Sequence, residues 1–204
     1  MHHEVLNKQI VVIDFETTGS VNGYQVEAWQ VGMILFRNGQ VDYNFLFNSL
    51  LRIGDRPINP NAPGNYHQLR NEISCAPGIE DIWPELKTWW LGRALCAHNI
   101  STEKSIIENA VPMHQVGPWL DTLKLSRYVY PQLESHKLED IIHILNIEED
   151  LEKACPKLEP HDAFYDAVAC AILLEHLLHH DKLKDLSFDN LIQLSPTEYY
   201  KKFR

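Results

Sequence analysis

The feature that most constrains the fold is an uninterrupted apolar run ending in a carboxylate, residues 9–14 (Gln-Ile-Val-Val-Ile-Asp). Its four central residues are all β-branched, which favours a strand, and they do not alternate with polar residues. A strand of this kind is buried on both faces, as in a sheet that helices cover on both sides. The run therefore predicts a buried strand that carries Asp14 at its carboxyl end.

Two further strands follow the first one. Residues 27–37 and 41–50 each favour a strand, and the Asn-Gly pair between them is typical of a hairpin. The chain therefore opens with a three-stranded antiparallel meander. Two short apolar stretches, 94–97 and 119–120, favour two more strands and alternate with helical patterns. This order predicts an α/β fold with a mixed five-stranded sheet, the meander plus parallel strands, flanked by helices.

The length of 204 residues fits one domain, which we place at residues 1–186. Its helices are expected at 78–91, 101–110, 121–129, 136–145 and 162–180. Residues 54–77 are rich in proline and predict a long surface loop rather than a linker between domains. Residues 187–204 predict a C-terminal helical tail.

The composition excludes several classes of protein. Eighteen Lys and Arg against 28 Asp and Glu leave a formal charge of −10, so a broad basic surface cannot be the main contact with nucleic acid. An enzyme that holds nucleic acid through metal ions remains compatible with this charge. The four cysteines include no C-x-x-C pair, which favours buried thiols in a reducing compartment. No apolar stretch approaches the roughly 18 residues of a membrane span and the first residues lack a basic signal region, so we expect a cytoplasmic protein without membrane contact.

Two carboxylates, Asp14 and Glu16, lie at the end of the first predicted strand. Residues two apart in a strand point to the same side, so the two acids project together. Neighbouring carboxylates resist ionisation unless a cation lies between them, and hard oxygen ligands suit Mg²⁺ or Mn²⁺. The alternative is that Asp14 caps a turn and Glu16 is solvated.

A second candidate segment is His98-Asn99 followed by Glu103, at the point where a short strand passes into a helix. An acid in the first turn of a helix is favoured by the helix dipole alone, and Ser101 is a suitable N-cap residue. Glu103 is therefore compatible with a purely structural role as well as with a place in a metal site.

A third candidate segment surrounds the start of the last long helix. Asp162 is a natural N-cap residue, which puts Asp166 in the first turn and leaves His161 just outside the helix. A histidine with its usual pKa near 6.5 is suited to take a proton from water at neutral pH. Helix capping alone would also explain the two acids.

Together these segments resemble a known family. They occur in the order Asp14-Phe15-Glu16-Thr17-Thr18-Gly19, Ala97-His98-Asn99, Asp121-Thr122-Leu123, His136-Lys137-Leu138, and His161 five residues before Asp166. The pattern is similar to the DEDDh branch of the DnaQ-like 3′–5′ exonucleases, which share the ribonuclease H-like fold and include proofreading subunits and domains of DNA polymerases. The similarity spans about residues 9–180. The sister branch carries a tyrosine where this chain has Asp162, so the histidine branch matches better.

The resemblance implies a site with two Mg²⁺ or Mn²⁺ ions. Asp14 is expected to bridge both ions, while Glu16 and Asp166 hold the ion that carries the attacking water. His161 is expected to take the proton from that water. Glu103 stands where the family carries an Asp, and its extra methylene leaves the carboxylate within reach of an indirect or water-mediated metal contact, which would alter the metal preference or weaken the second site.

The resemblance also implies the substrate and its contacts. Thr17, Thr18, His98 and Asn99 are expected to bind the 3′ end of a single strand. We expect DNA rather than RNA, release of nucleoside 5′-monophosphates, and a DNA polymerase or another replication or repair protein as a partner. Two alternatives stay open: an exoribonuclease that trims RNA 3′ ends, and a binding or adaptor module weakened in catalysis by Glu103.

Overall fold

The computed structural model describes residues 5–194 of the chain, and its centre is a five-stranded sheet with the strand order β3-β2-β1-β4-β5. The strands are β1 (Ile10–Thr17), β2 (Ala28–Arg37), β3 (Gln40–Leu50), β4 (Ala94–Ala97) and β5 (Trp119–Asp121). The first three strands are antiparallel neighbours, whereas β4 runs parallel to β1 and β5 runs parallel to β4. The predicted mixed sheet is confirmed.

Helices lie before, between and after the last two strands. They are α1 (Arg70–Cys75), α2 (Trp83–Trp90), α3 (Ser101–Ala110), α4 (Thr122–Val129), α5 (Leu138–Ile144), α6 (Glu148–Ala154), α7 (Ala163–Leu178) and α8 (Phe188–Gln193). The longest, α7, packs against β1 and β2. The sheet therefore presents the ends of β1 and β4 close to the start of this helix.

Strand β1 separates the two halves of the hydrophobic core. Ile10 and Val12 belong to the cluster that contains α7, whereas Val11 and Ile13 belong to the cluster that contains the apolar residues of α2 and α3. Because side chains alternate along a strand, Asp14 and Glu16 continue the row that faces α7. The carboxylates thus lie beside the helix that carries Asp166.

A glycine in β2 brings α7 close to the sheet. Gly32 is paired with Asp14 across the strands, and a Cβ atom on Gly32 would lie 2.2 Å from the carbonyl oxygen of Ala163. A side chain cannot be accommodated here, so glycine allows the first turn of α7 to rest directly on the strand. That contact holds Asp166 next to the end of β1.

The structure differs from the sequence prediction at two helices. The predicted loop at 54–77 contains α1, so the prediction of a continuous loop was wrong at its end. Helix α6 was missed altogether. Each of these helices buries a single side chain, Ile73 in α1 and Leu151 in α6, and therefore leaves almost no apolar periodicity in the sequence.

The predicted C-terminal tail is described only in part. Helix α8 begins after Ser187, whose hydroxyl accepts a hydrogen bond from the backbone N–H of Asn190, and it buries Phe188 and Leu191 in the core. Residues 195–204 lie outside the described part of the chain, and the domain boundary at residue 186 stays a prediction. Within residues 5–194 we find no helix with the length and apolar character needed to cross a membrane.

Candidate active site

Asp14 and Glu16 lie at the carboxyl end of β1, among other acids. Glu16 is 5% exposed, and burial, followed by the charges of Asp166, Asp162 and Glu103, raises its pKa to about 9. The pKa of Asp14 is also raised well above its usual value, first by burial and then by Glu103, Asp166 and Glu16. The two carboxylates therefore share their surroundings with the other two acids expected in the site.

Glu103 projects from the first turn of α3 into the protein interior. Its side chain is 4% exposed, and its Oε2 atom has no hydrogen-bond partner among the described residues. Burial raises the pKa of Glu103 to about 8, and the charge of Asp121 adds to this effect. A solvated first-turn acid would show neither feature, so helix capping alone does not explain the position of Glu103.

The start of α7 is held by a buried glutamine in the sheet. The side chain of Asp162 accepts hydrogen bonds from the backbone N–H groups of Phe164 and Tyr165, which caps the helix. Gln30 of β2 donates through Nε2 to Asp162 over 2.9 Å and accepts through Oε1 from the N–H of Ala163 over 3.2 Å. Sequence reasoning missed Gln30, although a lone glutamine inside the apolar strand β2 was a visible signal.

His161 and Asp166 are linked across this cap. The backbone N–H of His161 donates to Oδ2 of Asp166 over 3.1 Å, and His161 adopts a left-handed φ of 68°. Burial raises the pKa of Asp166 to about 6, while the hydrogen bond from His161 opposes the shift. The turn thus directs the histidine and the carboxylate to the same place.

Glu16, His161 and Asp166 form a group suited to a metal ion, because one ligand atom from each lies within 4.8 Å of the other two. Carboxylate oxygens are the ligands that Mg²⁺ and Mn²⁺ prefer. The unpartnered Oε2 of Glu103 and the raised pKa values of four crowded acids fit a site built for cations. The donor set therefore matches a divalent metal centre.

A cavity of about 570 Å³ opens beside these acids. Five of the nine predicted site residues line it: Asp14, His98, Asn99, His161 and Asp166. Glu16 and Glu103 are buried and do not line the cavity, whereas Arg127 and Lys137 do. Three of the five catalytic candidates, Asp14, His161 and Asp166, thus line one opening.

His98 and Asn99 are held by internal hydrogen bonds. The His98 ring lies 3.0 Å from the hydroxyl of Thr122 through Nδ1 and 2.8 Å from the carbonyl oxygen of His136 through Nε2. Burial lowers the pKa of His98, so the neutral ring donates to His136 through Nε2 and accepts from Thr122. The backbone N–H of Asn99 donates to Asp121 over 3.1 Å. Both residues line the cavity while connecting β4 to the segments beside it.

Thr17 and Thr18 have hydroxyl groups occupied by the adjacent turn. The Thr17 hydroxyl accepts from the N–H of Gly19 over 3.2 Å, and the Thr18 hydroxyl accepts from the N–H of Glu27 over 3.1 Å. Thr18 is 1% exposed. These two residues therefore shape the end of β1 in the structure, and neither lines the cavity.

Part of the predicted surface loop also borders the site, which the sequence did not reveal. Gly64 has a φ of 92°, and a Cβ atom there would lie 3.1 Å from Oε2 of Glu16 and 3.1 Å from the carbonyl oxygen of His161. Asn59 donates from its backbone N–H to the carbonyl of Thr18 over 2.9 Å. The loop is thus fixed to the end of β1 and covers Glu16.

Comparison with known proteins agrees with this geometry. The 3′–5′ exonuclease DinG of Bacillus subtilis is 29% identical over 206 residues, covering 93% of this chain and 19% of DinG. A PolC-type DNA polymerase III of Halalkalibacterium halodurans is 25% identical over 203 residues, covering 90% of this chain and 13% of the polymerase. The chain therefore spans about one fifth or less of the length of these relatives.

Solved structures show the same fold. Exonuclease X in complex with 5′ overhanging duplex DNA superposes with a TM-score of 0.65 and 23% identity, covering 91% of this chain and 98% of that one. The nuclease domain of 3′hExo, a DEDDh family member bound to rAMP, also gives a TM-score of 0.65, with 14% identity over 87% of this chain and 94% of that one. The predicted ribonuclease H-like fold is confirmed by these structures, and the resemblance to DnaQ-like exonucleases is confirmed by the family model and the relatives. A family model described as an exonuclease, RNase_T, matches residues 11–174, and the chain therefore belongs to the RNase_T exonuclease family.

Proposed function

We propose that this chain is a metal-dependent 3′–5′ exonuclease that removes nucleoside 5′-monophosphates from the 3′ end of single-stranded DNA. The observation that carries the proposal is the convergence of Asp14, Glu16, Glu103 and Asp166, each with a raised pKa, beside one cavity. Four crowded carboxyl groups weaken a fold unless cations are bound between them. Their retention next to an open cavity is typical of a catalytic metal site.

The metal ligands we propose are the four acids. Asp14 would contact both ions, Glu16 and Asp166 would hold the first ion with it, and Glu103 would hold the second ion directly or through water. Bound Mg²⁺ or Mn²⁺ supplies positive charge that stabilises the phosphate in the transition state and lowers the pKa of water. Burial of Glu16 and Glu103 excludes bulk water around this charge and strengthens it.

His161 is proposed as the general base. Its ring takes the proton of the attacking water, whose oxygen forms a bond to phosphorus while the bond from phosphorus to the 3′ oxygen of the preceding nucleotide breaks. The leaving 3′ oxygen takes a proton from solvent water. The hydrogen bond from the His161 backbone to Asp166 keeps the ring beside the acids, and its exposure leaves it open to solvent for release of the proton. The products are a nucleoside 5′-monophosphate and a strand shortened by one nucleotide with a new 3′ hydroxyl.

The substrate and partner are inferred from the relatives. DinG is named as a 3′–5′ exonuclease and PolC-type proteins are DNA polymerases, which favours DNA and a role beside a polymerase or another replication or repair protein. The formal charge of −10 also favours contact with a short strand end over binding along a polymer. The bound rAMP of 3′hExo makes RNA the substrate to compare.

The test uses single strands of DNA and RNA labelled at the 5′ end, with Mn²⁺, with Mg²⁺ and with a chelator. We expect a metal-dependent ladder that shortens from the 3′ end, faster on DNA. Asp14→Asn is expected to abolish the ladder, whereas Asp150→Asn on α6, which changes the same charge outside the site, leaves it intact. No product with any divalent ion would refute the proposal and favour a binding module, and faster shortening of RNA would reassign the substrate.

A further inference from the structure

Two cations line the same cavity as the acids. Arg127 of α4 and Lys137 at the start of α5 are both exposed, and within the described residues neither makes an ion pair or a side-chain hydrogen bond. The cavity is also lined by Glu134 and Glu139, yet neither acid pairs with these cations. Two positive charges are thus kept available in a protein whose net charge is strongly negative.

Lys137 is positioned by a fixed backbone. The hydroxyl of Ser135 donates to Asp140 and accepts from the backbone N–H of Lys137 over 3.3 Å. The carbonyl of His136 accepts from the buried ring of His98 over 2.8 Å. Three consecutive residues are therefore anchored to α5 and to the end of β4, and Lys137 lines the cavity with an exposed side chain.

Arg127 is carried by a helix that is tied to the same strand end. Asp121 caps α4 by accepting from the backbone N–H groups of Leu123 and Lys124, and the same carboxylate accepts from Asn99. The charge of Arg127 reaches His98, whose pKa it lowers in addition to the larger effect of burial. The arginine thus belongs to the cavity wall rather than to the outer surface of α4.

We propose that Arg127 and Lys137 bind the phosphodiester groups on the 5′ side of the one that is cleaved. This inference rests on the proposed exonuclease function. The cleaved phosphate is assigned to the acids and their metal ions, so the cations are left for the phosphates of the incoming strand. Guanidinium and ammonium groups suit phosphate oxygens, and contacts to the backbone are independent of base sequence. The substrate class is a single strand with at least two phosphodiesters, bound independently of its base sequence.

The experiment compares the activity of the full chain, in the presence of Mn²⁺, on two substrates. One is an oligothymidylate of four nucleotides, and the other is the p-nitrophenyl ester of thymidine 5′-monophosphate, which has no upstream phosphodiester. The variants are Arg127→Gln, Lys137→Gln and the double variant. Lys153→Gln on α6, where the lysine pairs with Glu149, is the matched control for loss of one positive charge.

We expect each single variant to raise KM for the oligonucleotide about tenfold, with kcat nearly unchanged. The slope of log(kcat/KM) against the logarithm of the salt concentration is expected to become shallower by about 0.7. Turnover of the p-nitrophenyl ester is expected to match the wild type, as is every value for Lys153→Gln. An unchanged KM for the oligonucleotide, or an equal loss on both substrates, would overturn the inference.

Binding without cleavage separates this inference from the proposed function. The fluorescence anisotropy of a 5′-labelled oligonucleotide is measured in excess chelator, where the cations act without metal ions. Weaker binding by Arg127→Gln and by Lys137→Gln, with an unchanged Kd for Lys153→Gln, supports the phosphate contacts. This support holds even if the wild type cleaves neither substrate, a result that would refute only the exonuclease function. Equal Kd values in all five proteins would overturn the phosphate contacts whatever the activity.

Discussion

Glu103 is expected to destabilise the metal-free protein at neutral pH, and Glu103→Gln removes that effect. The carboxyl group is buried with Oε2 unpartnered, so the folded protein holds it in the protonated form up to a pKa of about 8. In the unfolded chain the same group ionises near its usual pKa of 4.5. Between these values folding takes up a proton, and the free energy of unfolding falls as the pH rises.

The size of the effect follows from these two pKa values. Each full pH unit in this window costs about 1.4 kcal/mol, and titration is only partial near each pKa, so from pH 5 to pH 8 Glu103 is expected to lower the free energy of unfolding by about 3 to 4 kcal/mol. The effect is absent below pH 4.5, where the carboxyl is protonated in both states. A buried glutamine amide without partners costs about 1–3 kcal/mol at every pH, so the informative quantity is the slope with pH.

The assay is denaturant unfolding of metal-free wild type and Glu103→Gln at several pH values from 5 to 8. Glu108→Gln is the matched control, because Glu108 lies on the same helix and its side chain is 65% exposed. We expect the free energy of unfolding of the variant to gain about 3 to 4 kcal/mol relative to the wild type across this range. The control is expected to gain nothing, and Mn²⁺ is expected to stabilise the wild type more than the variant at pH 8. Parallel pH curves for the wild type and Glu103→Gln would refute the reasoning.

Three other predictions concern the reaction and the support of the site. His161→Ala is expected to lower kcat by about 100-fold while the affinity for Mn²⁺, measured by calorimetry, is kept; loss of affinity would make His161 a ligand. Glu103→Asp is expected to keep or raise the Mg²⁺-supported rate, and an inactive folded variant would show that the site requires glutamate. Gly32→Ala is expected to displace the start of α7, whose Ala163 carbonyl leaves no room for a Cβ atom, and to lower both the melting temperature and kcat; wild-type values for both would refute the proposed contact.

The strands were predictable because each leaves a strong local signal. The run at residues 9–14 has no helical period, and the hairpin after it carries its own turn residues. The ends of β1 to β3 therefore follow from the sequence to within one residue, except that β1 continues three residues past Asp14 to Thr17. The last long helix is apolar along nearly all its length. Short helices such as α1 bury a single side chain and therefore leave no apolar period in the local sequence.

The acids of the site were predictable for a different reason. Asp14 and Glu16 share a strand face by geometry, whereas their approach to Asp166 depends on which strands are neighbours. Gln30 and Gly64 could not be found in this way, because neither has a motif of its own. Gln30 acts on the cap of a helix 132 residues away in sequence, and Gly64 matters through the space it leaves beside Glu16.

The structure relates the stability of the fold to the chemistry of its site. Four acids with raised pKa values destabilise the metal-free fold at neutral pH. The features that stabilise the fold lie next to them: the buried strand β1, the close contact of Gly32 with α7, and the cap formed by Gln30 and Asp162. Divalent cations bound to the same acids would make the acids' contribution to the free energy of unfolding favourable, because a bound cation favours the ionised form. The protein should therefore depend most on metal for its stability at and above neutral pH, where the metal-free fold opposes ionisation of these acids.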